Sequence, residues 1–312
     1  FMAVVRISVT CAFCALVCAP ANAQDWVPSP FGETDQSGAS ILMTESKAIE
    51  AANLIRRGRV VPLGRPYSAN MPLGAEGTFS LSNTNTPART VNGAVLMEGQ
   101  LTARIGQVGT QLNGLGHIGL GAEAPLFYNG TPLDDLVGDT GLSRLGIEHV
   151  KPFFTRGIMI DMVTLRGGPM EAGDEITVAD IETALDWQEL AEPRAGDVVI
   201  FHTGWGRHWL SDPETYPTGA PGIGMEAATW QLERRVALIG ADTRSVEVQP
   251  SGNPESALPV HAEMLPKNGI FLHENLETER LVDAEISEFA FIIAPLPIIG
   301  ATGSPGEPLA VY

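Results

Sequence analysis

At 312 residues, 44% hydrophobic and 18% charged, the chain has the composition of a globular protein with a sizeable core. Thirty-seven acidic against nineteen basic residues leave a formal charge of −18, which excludes nucleic acid and anionic membrane surfaces as natural partners. Cys11, Cys14 and Cys18 are the only cysteines, so a chain beginning at residue 24 has no disulfide, thiolate metal site or cysteine nucleophile.

That cut follows from the first 23 residues, where Arg6 precedes an apolar run and "ANAQ" supplies a small-x-small cleavage site after Ala23. The pattern is that of a secretory signal peptide, too short for a membrane span, and predicts a soluble exported protein in the periplasm. Next, "TESKAIEAANLIRRG" predicts a helix, with Thr44 as N-cap, Ile49, Ala52, Leu54 and Ile55 as its apolar residues, and a stop at Gly58. Pro, Gly, Ser and Asn crowd residues 65–94, which predicts a long surface loop or arm. The division expected is therefore signal peptide 1–23, helix and arm 24–94, and main domain 95–312.

Beyond the arm, strands and helices alternate, which argues an α/β domain. "RGIMIDMV" (156–163) reads as a buried strand. "ITVADIETALDWQEL" opens on a capping box, Thr177 and Asp180, and lines up Ile181, Leu185 and Leu190 on one helical face. "AGDVVIFHTGW" is a strand ending near His202, "GMEAATWQLERR" a helix and "VALIGADT" the strand after it. "LPVHAEMLPKNGIFLHENL" reads as a helical turn followed by a strand, and "EFAFIIAPLPI" as a last apolar strand. No period of 20–50 residues recurs, so a repeat architecture is excluded.

Chemistry concentrates in "GQVGTQLNGLGHIG", residues 106–119, where Gln107, Gln111, Asn113 and His117 are spaced as metal ligands but three of the four are amides. Gly114, Gly116 and Gly119 form a literal G-x-G-x-x-G, yet Asp134 and the loop-like residues after it lack the helix a dinucleotide fingerprint needs. "TGSPG" (302–306) replaces the first glycine of a serine nucleophile elbow by Thr302 and reads as a closing turn. Among the histidines, His149 and His208 stand in polar surroundings that predict surface positions, and His202 reads as structural. In "GIFLHEN", Ile270, Leu272 and Glu274 share a face by the period-2 rule while His273 points away. A carboxylate on an apolar face must be paired or metal-bound, which singles out Glu274. His117, His261 and Glu274 are thus the candidate site from residue chemistry.

The stretch "QVGTQLNGLGH" (107–117) lies over the signature H-x-G-T-H-x-D-x-P-x-H of the cyclase or kynurenine-formamidase-like metal-dependent hydrolases, which include arylformamidases and isatin hydrolase. The chain resembles that family from about residue 105 to 305, through "RGIMIDM", "AGDVVIFHTGW", "IGADTRSVEVQP", "LPVHAEMLPKNGIFLHENL" and "GATGSP" in family order. The resemblance implies an α/β fold of the swivelling β/α kind, a mixed sheet flanked by helices, and a homodimer or homotetramer acting on a small-molecule substrate. It places the family's zinc or manganese ligands on Gln107, Gln111 and Asn113, its acid–base histidine on His117, and a second His/Glu metal pair on His261 and Glu274. Amide oxygens are neutral and weak ligands for Zn²⁺ or Mn²⁺. Three readings follow: a hydrolase of a small amide, cyclic amide or lactone with one metal held by His261, Glu274 and Gln107 and with His117 relaying the proton; a metal-free hydrolase with His117 as general base and Gln107, Gln111 and Asn113 as donors to a developing oxyanion; or a non-catalytic binder of a small molecule. Trp205, Trp209 and Phe127 are candidates for an aromatic wall, although core packing is the commoner use of such residues.

Overall fold

The computed structural model describes residues 26–74, 77–83, 89–92 and 94–312. The expected signal peptide lies outside these described residues.

A nine-stranded mixed sheet organises the domain. Its strands, numbered in chain order, are β1 (Val60–Pro62), β2 (Gln111–Asn113), β3 (Phe153–Asp161), β4 (Val198–His202), β5 (Leu238–Ala241), β6 (Phe271–Glu274), β7 (Glu288–Ile293), β8 (Gly303–Pro305) and β9 (Leu309–Val311). They lie in the order β1-β9-β7-β3-β4-β5-β6-β2-β8. The central run β3-β4-β5-β6 is parallel, and every other neighbour pair is antiparallel. Strands such as "VVIFH" and "LIGA" are buried along their whole length, which is why they read as continuous apolar runs rather than as alternating ones. This is the mixed α/β architecture that the sequence implies.

Three helices show why some local signals carried and one did not. α1 (Glu45–Ala52) is capped by Thr44, whose hydroxyl accepts from the Lys47 amide, but it stops six residues short of Gly58. Its buried residues are Lys47 and Ala51, while Ile49 is 64% exposed. The expected apolar face is therefore wrong: the Lys47 ammonium is drawn inward by Asp197, which turns Ile49 to solvent. α2 (Val178–Trp187) has the full capping box between Thr177 and Asp180 and buries Ile181 and Leu185 as its periodicity predicts. α3 (Met225–Glu233) buries Ala227, Ala228 and Trp230 against the sheet core.

The arm is not a plain loop. Phe79–Asn83 pairs antiparallel with Gly99–Ala103, and inside that ladder Arg89–Val91 pairs with Ala94–Leu96. Its two ladders form a hairpin whose facing Leu81 and Leu101 are 62% and 54% exposed. "TGSPG" is likewise not a turn: Gly303–Pro305 is an edge strand, with Ser304 fully buried and its hydroxyl engaged by the Leu296 amide.

Candidate active site

The site forms at the carboxyl ends of the parallel strands, where open α/β sheets bind ligands. β6 ends on Glu274, and its register sets Glu274 opposite Gln111 and His273 opposite Leu112. Because side chains alternate across a strand, Gln111, Asn113 and Glu274 share one face, while Leu112 and His273 go to the other and are fully buried. Gly109 starts this presentation at φ 70, where a Cβ would lie 2.4 Å from the Tyr67 ring. The next residue, Thr110, takes the Arg65 amide and donates to the Asn275 carbonyl, at 2.8 Å each. Asn275 in turn donates to the Gly109 carbonyl at 2.6 Å and accepts from the Tyr216 hydroxyl at 2.8 Å. The turn that precedes β2 is thus clamped to the turn that follows β6.

His261 comes from the short helix Pro259–Ala262. Its Nδ1 faces Glu247 Oε1, and its Nε2 lies 3.1 Å from Glu274 Oε1. Two ring nitrogens that each face a carboxylate must both donate, so the ring is an imidazolium. Burial lowers its pKa, but the hydrogen bonds to Glu247 and Glu274, and their charges, overcome that and raise it to about 9. Glu247 is pinned in its turn by the backbone amides of Val260 and His261, at 3.0 Å each.

Glu274 collects three donors. Gln111 Nε2 reaches Oε2 at 2.6 Å, and Asn113 Nδ2 and His261 Nε2 reach Oε1 at 2.8 and 3.1 Å. Burial alone would raise the Glu274 pKa, but the His261 bond and charge, with the Asn113 donor, hold it below the usual carboxylate range. A carboxylate has no proton to give, so both amides must aim their NH₂ groups at it. Asn113 Oδ1 then faces outward and accepts from Gln107 Nε2 at 3.5 Å, and the same Gln107 Nε2 lies 3.1 Å from His117 Nδ1. Donation to Nδ1 leaves the proton of His117 on Nε2. Burial and the nearby His261 charge lower the His117 pKa to about 4, so the ring is neutral near pH 7.

The six sequence-derived residues Gln107, Gln111, Asn113, His117, His261 and Glu274 are therefore one connected network, and all but Asn113 line a cavity of about 480 Å³. The other assignments separate from it. Trp205 and Trp209 are buried with Met71, Val108 and Tyr216 in a second apolar cluster, and Phe127 packs over Gly119, so none of the three walls the cavity. Large rings there support the clamp residue Tyr216 from behind. His202 bonds Thr278 at 2.7 Å, in keeping with a structural role, and His149 is exposed, whereas His208 is half-buried against Trp205. Gly114 and Gly116 pack against Thr302 and Leu142, with a 3-10 turn rather than a nucleotide-binding helix downstream. Sequence reasoning missed Glu247; its signal was an acidic residue between Val246 and Val248, the same anomaly that marked Glu274.

The donor set does not fit a zinc or manganese ion. A tight site needs several convergent strong lone pairs, yet three of the four on Glu274 are taken by N–H donors, both His261 nitrogens face carboxylates and Asn113 turns its amide nitrogen to Glu274. The remaining Glu274 Oε2 lone pair and the unpartnered Gln111 Oε1 are too few and, for the amide, too weak. Among the described residues, no group of three or more His, Cys, Asp or Glu side chains is placed to hold a metal.

Comparison with known proteins agrees with the fold. The Cyclase family model matches residues 47–248. A crystal structure described as a novel cyclase is 28% identical, with a TM-score of 0.82 over 91% of this chain and 99% of its own. Isatin hydrolase A from Ralstonia solanacearum is 22% identical, with a TM-score of 0.61 over 86% of this chain and 98% of its own. Isatin hydrolase A from Labrenzia aggregata, solved with benzyl benzoate bound, is 18% identical, with a TM-score of 0.60 over 83% and 94%. No curated protein sequence matches the chain. These likenesses establish the fold.

Proposed function

The chain belongs to the Cyclase family, and from that membership we propose that it is a metal-independent hydrolase of a small amide, cyclic amide or lactone. The observation that carries this reading is the triple hydrogen bonding of Glu274 by Gln111, Asn113 and His261. The imidazolium between Glu247 and Glu274 takes up the His/Glu pair that the resemblance assigns to a metal, and it holds the Glu274 carboxylate in place without an ion.

Each group then has a defined task. Glu274 Oε1 is occupied by two donors, while Oε2 has one and keeps a lone pair for a water molecule. That water attacks the substrate carbonyl as its proton passes to Glu274, which returns it to the departing nitrogen or oxygen. The tautomer selected by Gln107 gives His117 the acid side of the acid–base role: its Nε2–H donates to the carbonyl oxygen as negative charge develops there. Gln111 and Asn113 hold the carboxylate still, which avoids reorganisation during the reaction.

The test is metal analysis of purified protein combined with turnover of a panel of small amides, cyclic amides and lactones, with and without a chelator. The expected result is well under stoichiometric zinc and manganese and hydrolysis that a chelator leaves unchanged. Near-stoichiometric metal whose removal abolishes turnover would overturn the proposal. Ligand-induced thermal stabilisation without turnover of any panel member would replace it by a binding function.

A further inference from the structure

The cavity is lined by two guanidinium groups, Arg104 and Arg244, and by one carboxylate, Glu274, which shares the His261 imidazolium with Glu247 behind it. In a molecule of charge −18 that is an inversion of sign at one place. Clefts lined by one sign of charge concentrate ligands of the other.

Arg244 is presented by a specialised turn. The segment after β5, from Asp242 to Glu247, is buried at every position except Arg244. Thr243 Oγ1 accepts from the Val246 amide at 3.1 Å, and Ser245 Oγ donates to the Glu247 carbonyl at 2.7 Å. Val246 is held at φ 60, a left-handed conformation that a β-branched residue rarely adopts. Strain of this kind persists where surrounding structure over-determines the backbone, and such positions cluster at ligand sites. The guanidinium reaches across to the Pro217 carbonyl at 3.0 Å and stands over Gly74, both on the cavity wall. Most other arginines of the fold are consumed by acids: Arg65 by Glu279, Arg156 by Asp197 and Glu288, Arg207 by Glu171. Arg244 makes no ion pair among the described residues, and one bond to a carbonyl leaves most of its donors for a ligand. The same strained turn delivers Glu247 to His261 three residues later, which fixes Arg244 relative to the reacting groups.

We propose that Arg244 binds a carboxylate of the substrate, so that the substrates of this site are small carboxylic acids that also carry the hydrolysable amide or lactone. The planar fork of a guanidinium matches a carboxylate in a way that a neutral cavity lining does not. The positive charge of Arg104, close enough to His117 to act on it, adds to the attraction at the same wall. This rests on the hydrolase reading for what happens next, but not for binding.

Calorimetric titration with pairs of equal shape separates the two. Full-length protein is titrated with acetate, benzoate and benzoylglycine, and with the neutral amide of each. Wild type is expected to bind at least one acid about tenfold more tightly than its amide, with a preference that shrinks as salt is raised. The Arg244→Gln variant is expected to reduce that preference to about twofold, and Arg244→Lys to retain part of it. Equal binding of acids and amides, binding of no acid at all, or a preference unchanged in Arg244→Gln would each overturn the proposal. A carboxylate preference without turnover would keep this site and remove the hydrolase reading. Turnover of neutral amides with no acid preference would do the reverse.

Discussion

Two buried clusters of charge lie at opposite ends of the same parallel strands, and they are built differently. Asp197, just before β4, is fully buried and accepts from Lys47 Nζ, Arg156 Nη1 and the Arg194 amide. Every nitrogen of Arg156 also has a partner, in Glu288 and the carbonyls of Ala191 and Glu192. That network closes on itself. The Glu274 network at the other end terminates on a cavity, and one of its members, Gln111 Oε1, is buried with no partner. The contrast separates charge that holds the fold from charge kept ready for a ligand.

The comparison can be broken most forcefully at the closed end. Asp197→Ala leaves Lys47 and Arg156 as uncompensated buried cations and is expected to cost about 3–5 kcal/mol in denaturant unfolding, with activity per folded molecule unchanged. At the open end the balance should reverse. Glu274→Gln is expected to lower kcat/KM by about 100-fold, on the scale of losing one charge-stabilising group, with a smaller loss of stability than Asp197→Ala. Smaller again is Gln107→Ala, which frees the His117 tautomer: a drop of about tenfold in kcat/KM, unfolding stability within about 0.5 kcal/mol, and a pH profile displaced from that of wild type. If Gln107→Ala proved as harmful to stability as Asp197→Ala, the distinction between the two ends would fail.

pH provides the mildest probe. The folded His261 holds a proton between the ordinary value of 6.5 and about 9 that the unfolded chain releases. Its contribution to stability is complete below 6.5 and is lost as pH rises through about 9. His117 and His273 have the opposite sign, since burial lowers them to about 4 and about 3, so stability declines as pH falls from 6.5 toward those values. Thermal unfolding followed across pH should therefore peak near 6.5 from these groups, and His261→Asn should flatten the alkaline side and, by removing the charge that helps lower His117, soften the acid side as well.

Legibility in the sequence tracked how far each feature depended on local chemistry. The strands of the parallel centre announced themselves because burial on both faces leaves uninterrupted apolar runs, and the α2 cap because Thr177 and Asp180 act within one turn. Gln107, Gln111, Asn113 and His117 were visible from a motif, and Glu274 from its place on an apolar strand. The hairpin was not visible: Ser80, Ser82, Gln100 and Thr102 alternate with leucines that stay in water, so no buried face imposes a period. Nor was the outward turn of Ile49, because it depends on Asp197, 150 residues from its partner Lys47. The closure of the site also escaped, since the tautomer of His117 is decided by a chain of bonds through Gln107 and Asn113 from Glu274, far along the sequence.

The two outermost strands of the sheet have a further consequence. β1 and β8 are each three residues long, and each ends in proline, Pro62 and Pro305. Proline offers no N–H to a neighbouring strand, and a short rim gives an incoming chain little to pair with. The large sheet thus gives little purchase to another molecule laid along its edge, and self-association through edge-to-edge pairing of this sheet, the usual start of strand-templated aggregation, is disfavoured at both sides.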